Sequence, residues 1–319
     1  MPLYRNELPQ LSGDLFLTDG GLETTLIFHE GIDLPEFAAF VLLENEDGCE
    51  TLRKYYRRYA DIARDNNVGF ILESMTWRAS QDWGMKLGYS SEQITDFNRK
   101  GIELLQDIRH EYEGAIPHMV ISGCIGPRGD GYSSDISMTA TEAEAYHHTQ
   151  IATFRETEAD IVAAFTIPYI AEGIGIALAA KSEQMPVVIS FTLETDGRLP
   201  SGERLKNAIE QIDAATDNIP TYYMINCAHP THFINVLQAG TWAKRIRAVR
   251  TNASTKSHAE LNEANELDEG NPQELSLQYL DLLRSLESLN VIGGCCGTDH
   301  RHVAEICKVF VNKKGQNLR

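Results

Sequence analysis

Gly293-Gly294-Cys295-Cys296-Gly297-Thr298-Asp299 sets two adjacent cysteines between glycines, so two soft sulfur donors sit on a backbone free to bend. The stretch follows the apolar run 289–293, which reads as a strand ending in a turn. A third cysteine has a matching position, because Ile225-Asn226-Cys227-Ala228-His229-Pro230 closes the apolar and aromatic run 222–227. Three thiolates at the ends of two strands suit zinc, which takes cysteine sulfur in tetrahedral geometry. A catalytic zinc keeps its fourth position for water or substrate. Adjacent cysteines do not readily join in a disulfide without distorting the peptide between them, and a redox pair more commonly has two residues between its thiols. The expected metal ligands are therefore Cys227, Cys295 and Cys296. Cys49, Cys124 and Cys307 read as small core residues. His229 and His232 flank Cys227 and make a mixed Cys/His set the alternative, yet the cysteine pair already completes three ligands.

Outward from these two turns, the chain alternates short β-rich apolar runs with longer amphipathic segments, the pattern of a parallel sheet wrapped by helices. Strands are predicted over 15–19, 69–74, 119–124, 160–165, 187–192, 222–227, 246–252 and 289–293. Helices are predicted over 48–66, 91–112, 141–158, 171–181, 201–215, 232–238, 271–287 and 301–312. In segment 48–66, for example, Leu52, Tyr55, Tyr56, Tyr59 and Ile62 recur at helical spacing. Eight such pairs fit an α/β fold, a single (β/α)8 TIM barrel with its active site at the C-terminal ends of the strands. Both cysteine clusters fall there. No low-complexity linker or internal repeat divides the chain, so residues 1–319 read as one domain. The acidic loop 263–269 reads as a solvated face, and His300 and His302 as the first turn of a solvated helix capped by Thr298 or Asp299.

Charge and composition exclude several classes of partner. With 28 Lys plus Arg against 46 Asp plus Glu, the net charge of -18 repels phosphate backbones and anionic lipid surfaces, so neither nucleic acid nor membrane is an expected partner. No apolar run reaches the roughly 18 residues of a membrane span. The start, Met1-Pro2-Leu3-Tyr4-Arg5-Asn6-Glu7, has no apolar signal core, and a cytoplasmic location is expected. Six cysteines are too few for a disulfide scaffold of this length. The oligomeric state has no signature in the sequence.

Other strand ends carry motifs of their own. Thr18-Asp19-Gly20-Gly21 ends the first strand with a carboxylate and two glycines, whose amides suit a small carboxylate while Asp19 meets an ammonium; the alternative is a plain Asp-Gly turn. Gly123-Cys124-Ile125-Gly126-Pro127 follows strand three, and Phe191-Thr192-Leu193-Glu194-Thr195-Asp196-Gly197-Arg198 follows strand five.

Taken in order, Asp19-Gly20-Gly21, Gly126-Pro127, Ser190-Phe191 with Asp196-Gly197, Ile225-Asn226-Cys227 and Gly293-Gly294-Cys295-Cys296-Gly297-Thr298 resemble the homocysteine S-methyltransferase family, over nearly the whole chain. The resemblance implies a (β/α)8 barrel with Zn2+ on Cys227, Cys295 and Cys296. It implies that Asp19 and the amides of Gly20 and Gly21 hold the amino-acid end of homocysteine. It also implies a small-molecule thiol acceptor and a small methyl donor, with methionine as product. The chain has no room for appended cobalamin or folate modules, which favours S-methylmethionine as donor over methyltetrahydrofolate; betaine users tend to carry a longer C-terminal extension. Two departures stand out. Phe165 occupies the position where the family usually has a glutamate that helps bind the substrate ammonium, and Arg78 stands where the family more often has a polar neutral residue.

The chemistry of such a site explains the metal. A free thiol with a pKa of about 8.5 is only a few per cent thiolate near neutrality, and the thiolate is the nucleophile. Lowering that pKa by two units is worth roughly 3 kcal/mol, which coordination to a dication supplies. Two other readings remain: a barrel with a fourth protein ligand and a purely structural zinc, and a redox role for Cys295 with Cys296. Methylation of a different small thiol is a third.

Overall fold

The eight apolar runs form eight parallel strands: β1 (Phe16–Leu17), β2 (Gly69–Glu73), β3 (Met119–Ile125), β4 (Ile161–Ile167), β5 (Val187–Phe191), β6 (Tyr222–Asn226), β7 (Ile246–Thr251) and β8 (Val291–Gly294). They pair in chain order, and β1 closes the barrel on β8 through Phe16 opposite Val291 and Leu17 opposite Ile292. The protein is thus a (β/α)8 barrel. The structure is a computed structural model that describes residues 1–317 other than 134, 136, 238, 239 and 265, with side chains up to Lys313.

Strands this short are apolar on both faces because both are covered. Ile71, Val120, Ala163, Val188, Met224 and Ala248 pack inside the barrel. Phe70, Leu72, Ile121, Val162, Ile189 and Val249 face the outer helices. By the same alternation Glu73, Phe165 and Arg250 point inward, two residues beyond Ile71, Ala163 and Ala248.

Local chemistry starts the outer helices where the sequence pattern expects them. Helix Glu46–Asp65 is capped by Asn45, whose side chain accepts from the Gly48 amide at 2.9 Å, and it buries Leu52, Tyr55, Tyr56 and Tyr59. Ser90 with Gln93 and Thr139 with Glu142 form capping boxes at the starts of helices Ser91–Glu111 and Ala140–Arg155. Helices Ile170–Ser182, Pro272–Ser285 and His300–Asn317 also follow the expected runs.

Two helices differ from expectation. The predicted 201–215 segment becomes helical only at Leu205–Thr216, because Gly202 takes a φ of 90° and turns the chain before the helix begins. The predicted 232–238 segment is a short α-helix, Pro230–Phe233, followed by a 3-10 turn, Ile234–Val236; Gln238 lies outside the described residues. Two short helices, Gln81–Lys86 and His258–Asn262, were not foreseen, since five or six residues show no helical period. No helix among the described residues is long and apolar enough to cross a membrane.

Candidate active site

Glycine lets β8 deliver its cysteines to the mouth of the barrel. A Cβ on Gly293 would run into the Thr18 hydroxyl, and one on Gly294 into that of Thr298. The turn that follows is tied on every side. The Cys295 amide donates to the Thr251 carbonyl at 2.8 Å, the Ala253 amide to the Cys296 carbonyl at 3.1 Å, and the Gly297 amide to the Thr24 hydroxyl at 3.2 Å. Cys227, just beyond β6, holds a φ of 53°, a conformation costly to a residue with a Cβ. Its amide donates to the Arg250 carbonyl at 3.1 Å and its carbonyl accepts from Asn252 at 3.2 Å, so the fold imposes this geometry from β7.

These turns bring the sulfurs of Cys227, Cys295 and Cys296 within 4.8 Å of one another. Cys227 and Cys296 sulfurs are 4.0 Å apart, close to the edge of about 3.8 Å in a tetrahedron with metal–sulfur bonds of about 2.3 Å. Cys227 and Cys295 are joined as a disulfide, so a metal requires both to be reduced. Burial pushes the Cys296 thiol up to about 11, and a thiolate there calls for a neighbouring cation. Donor type and spacing therefore fit a soft divalent metal. No histidine joins this group among the described residues. His229 hydrogen-bonds the Thr231 hydroxyl at 2.8 Å, and burial lowers it to about 4. His232 meets the Thr255 carbonyl at 2.8 Å.

The remaining cysteines lie apart from the cluster. Cys307 is fully buried, Cys49 packs partly exposed against the core, and Cys124 is buried but lines the cavity. His302 was expected on a solvated face. It is instead fully buried, because Asp299 and the Glu269 carbonyl satisfy its two nitrogens at 3.1 and 2.8 Å. The acidic loop, too, is more than a solvated face, since Glu266 and Asp268 line the cavity.

The three sulfurs open onto a cavity of about 1020 Å³, ample for two small substrates. Aromatic residues wall it: Tyr56, Trp77, Trp83, Tyr132 and Phe165. Tyr132 packs against His258 with ring centres 4.1 Å apart and the planes tilted by 32°, and its hydroxyl lies 3.8 Å from the Cys296 sulfur. Asn226, beside Cys227, accepts from the Thr166 amide at 2.9 Å and donates to its hydroxyl at 2.9 Å, which ties β6 to β4.

The charged groups depart from the expected arrangement. Asp19 lines the cavity, but its Oδ1 lies 2.7 Å from Arg250 Nη2 and its Oδ2 accepts from the Tyr55 hydroxyl at 2.9 Å. Burial raises the Asp19 carboxyl, opposed by the Arg250 charge and the Tyr55 hydrogen bond. Arg250 also donates to the carbonyls of Gly294 and Gly20 at 2.9 and 3.0 Å and lies 5.1 Å from the Phe165 ring centre. The Gly21 amide donates to the Thr298 carbonyl at 3.0 Å, so it is already engaged and is not open to a ligand carboxylate as expected. Gly20 and Gly21 are required for a packing reason as well. A Cβ would press to 2.7 Å from the Tyr59 hydroxyl at Gly20 and to 2.6 Å from the Cys295 carbonyl at Gly21. Sequence reading missed Arg250 altogether; its one signal was an arginine within an inward-facing alternation on a predicted strand. Glu73, 7% exposed and with Oε2 unpartnered, is pushed up to about 7 by burial, and so is the partly exposed Glu23.

In sequence and in fold the chain is similar to the same group of known proteins. The family model for homocysteine S-methyltransferase matches residues 16–310. Homocysteine S-methyltransferase 1 of Arabidopsis thaliana is 24% identical over 257 residues, covering 73% of this chain and 74% of the relative. Selenocysteine Se-methyltransferase of Brassica oleracea var. italica is 24% identical over 334 residues, covering 97% and 92%. In three dimensions the chain is similar to the metallated form of the Escherichia coli homocysteine methyltransferase MmuM, with a TM-score of 0.73 and 20% identity over 93% of this chain and 96% of that one.

Proposed function

Because the chain belongs to the homocysteine S-methyltransferase family and is a methyltransferase, we propose that it moves a methyl group from a small sulfonium, S-methylmethionine, to the thiol of homocysteine, giving methionine. The observation that carries this reading is the group of three cysteine sulfurs at the ends of β6 and β8, open to a large aromatic cavity. On this reading Cys227, Cys295 and Cys296 would hold a zinc ion, and residues 1–319 act as one barrel domain in the cytoplasm, where thiols stay reduced. When bound, the zinc supplies the positive charge that keeps the acceptor sulfur a thiolate at neutral pH.

The chain's own residues do the remaining work. Trp77, Phe165 and Tyr132 wall the cavity and exclude water from the reacting groups. The acceptor sulfur attacks the methyl carbon; a new sulfur–carbon bond forms as the donor's breaks, and its electron pair returns to the donor sulfur, which leaves as a neutral thioether. The cavity's task is alignment, holding the acceptor sulfur about 3 to 3.5 Å from the methyl carbon and in line with the donor's carbon–sulfur bond. Asp19, together with Arg250, and the backbone at Gly20 and Gly21 border the acceptor end. Reduced, zinc-loaded protein should convert homocysteine and S-methylmethionine to methionine, followed by mass spectrometry. No methylated product with S-methylmethionine, betaine or methyltetrahydrofolate would exclude the reading.

A further inference from the structure

The cavity holds a buried cation that has no carboxylate partner among the described residues. Segment 74–80, between β2 and helix Gln81–Lys86, is fastened by the Thr76 hydroxyl donating to the Cys124 carbonyl at 2.8 Å, by Asn98 donating to the Ala79 carbonyl at 2.8 Å, and by the Trp77 indole donating to the Phe165 carbonyl at 3.4 Å. It presents Arg78 to the cavity, 7% exposed, with its guanidinium carbon 3.9 Å from the Trp77 ring centre and 3.7 Å from that of Trp83. The two indoles clamp the planar group and fix the direction of its N–H fork.

That fork is incompletely met. Nη1 donates to the Gly129 carbonyl at 3.2 Å, while Nε is buried without an acceptor. Among the described residues no carboxylate lies within 4.0 Å of the guanidinium, whereas the cavity's other arginines are paired, Arg250 with Asp19 and Arg128 with Asp82. The Trp83 indole N–H, on the same wall, is likewise buried without a partner. Burial lowers Arg78 only to about 10, so the group is charged at neutral pH. An unpaired buried charge beside an unmet donor is costly in the empty protein and becomes favourable once an anion with two oxygens is supplied. The surrounding wall is acidic, with Glu23, Glu36 and Asp130 nearby. A dianion is repelled there, while a zwitterion bearing one carboxylate and one cation suits both signs.

We propose that Arg78, with the Trp83 indole beside it, is the carboxylate-binding residue of this cavity and takes the α-carboxylate of an amino-acid-like ligand. The inference rests on the methyl-transfer reading only for the ligand's identity, acceptor or donor. It makes Arg78 a specificity residue that the expected Asp19-Gly20-Gly21 turn does not supply.

The test is equilibrium binding by calorimetry on reduced, metal-loaded protein, with three pairs of compounds differing only in the carboxylate. These are homocysteine and 3-aminopropane-1-thiol, S-methylmethionine and (3-aminopropyl)dimethylsulfonium, and the sulfur-free norleucine and pentylamine. The natural protein should prefer the carboxylate member of at least one pair tenfold or more. In Arg78→Gln that preference should fall to twofold or less, and Arg78→Lys, which keeps the charge without the fork, should retain part of it. A preference ratio is independent of the fraction of protein folded, so a general loss of stability does not imitate this result. The first pair responding identifies the acceptor, the second the donor. A response of the norleucine pair alone, without methylated product, upholds Arg78 and removes the methyl-transfer reading. An unchanged ratio in Arg78→Gln, or no carboxylate preference in the natural protein, overturns the proposal.

Discussion

Asp19 at the end of β1 and Arg250 at the end of β7 form an ion pair of 2.7 Å, both side chains more than nine-tenths buried, at the mouth of the barrel. The carboxylate expected to await a substrate ammonium thus has a resident cation. Arg250 in turn lies over Phe165, the apolar residue found where the family usually has an acid. At this end of the cavity an aromatic ring stands beside a buried arginine.

Removing one partner of this pair should leave a buried charge uncompensated. Arg250→Met is expected to lower stability by about 3 to 5 kcal/mol, and Asp19→Asn combined with Arg250→Met by clearly less than the sum of the single changes. Urea unfolding of the four proteins completes the cycle. Additive single effects would mean that the two charges do not act as a pair.

The cysteine group should bind one zinc per chain in reduced protein, read by metal analysis. Changing a residue that merely supports a ligand typically costs about 10- to 100-fold in metal affinity, so replacing a ligand, as in Cys227→Ser, Cys295→Ser or Cys296→Ser, should cost more than about 100-fold. Cys49→Ala and Cys307→Ala should keep full occupancy. Undiminished zinc in Cys296→Ser would remove that residue from the ligand set.

Restoring an acid at position 165 should change which thiols are accepted. Phe165→Glu is expected to raise kcat/KM for homocysteine relative to 4-mercaptobutyrate by about tenfold or more, since a desolvated carboxylate is left unpaired by the thiol that lacks an ammonium. The ratio is compared in both proteins at one donor concentration. A natural protein that already prefers homocysteine about a thousandfold, roughly 4 kcal/mol, would show that another acid such as Glu73 holds the ammonium.

Glu73 makes a pH-dependent contribution whose sign follows from its burial. Its carboxyl is raised from 4.5 to about 7 in the folded protein, so the native state holds this proton more tightly than the unfolded chain does. The associated stability is fully present below pH 4.5 and is lost as pH rises through about 7. Glu73→Gln abolishes that loss. The stability of Glu73→Gln relative to the natural protein should therefore rise between pH 5 and pH 8, by up to roughly 3 kcal/mol. A flat difference across that range would show that Glu73 stays ionised throughout.

Much of the fold was legible because its signals are local. Runs such as 187–192 and 222–227 are apolar on both faces, as strands covered on both sides must be, and Asn45, Ser90 and Thr139 mark helix starts within three residues of the groups they cap. The short helix carrying Trp83 escaped detection because one and a half turns leave no period to read. The early start assigned to helix 205–216 failed because Gly202 bends the chain through its backbone, a device that leaves no periodic trace.

By itself the sequence determined the eight-strand barrel and the three cysteines at two strand ends, since apolar alternation, turn glycines and ligand type are properties of neighbouring residues. Only the tertiary structure decided how the charges of the cavity are shared: Asp19 with Arg250, Arg78 between two indoles and, among the described residues, without a carboxylate partner, the Gly21 amide with Thr298. Asp19 with Arg250 and Gly21 with Thr298 join elements far apart in the chain, while the clamp on Arg78 is local in sequence and becomes part of the cavity only when the barrel closes. Which carboxylate meets which arginine depends on strand register and on the closure of β1 against β8, and burial then makes each such pairing strong enough to define what the pocket can still bind.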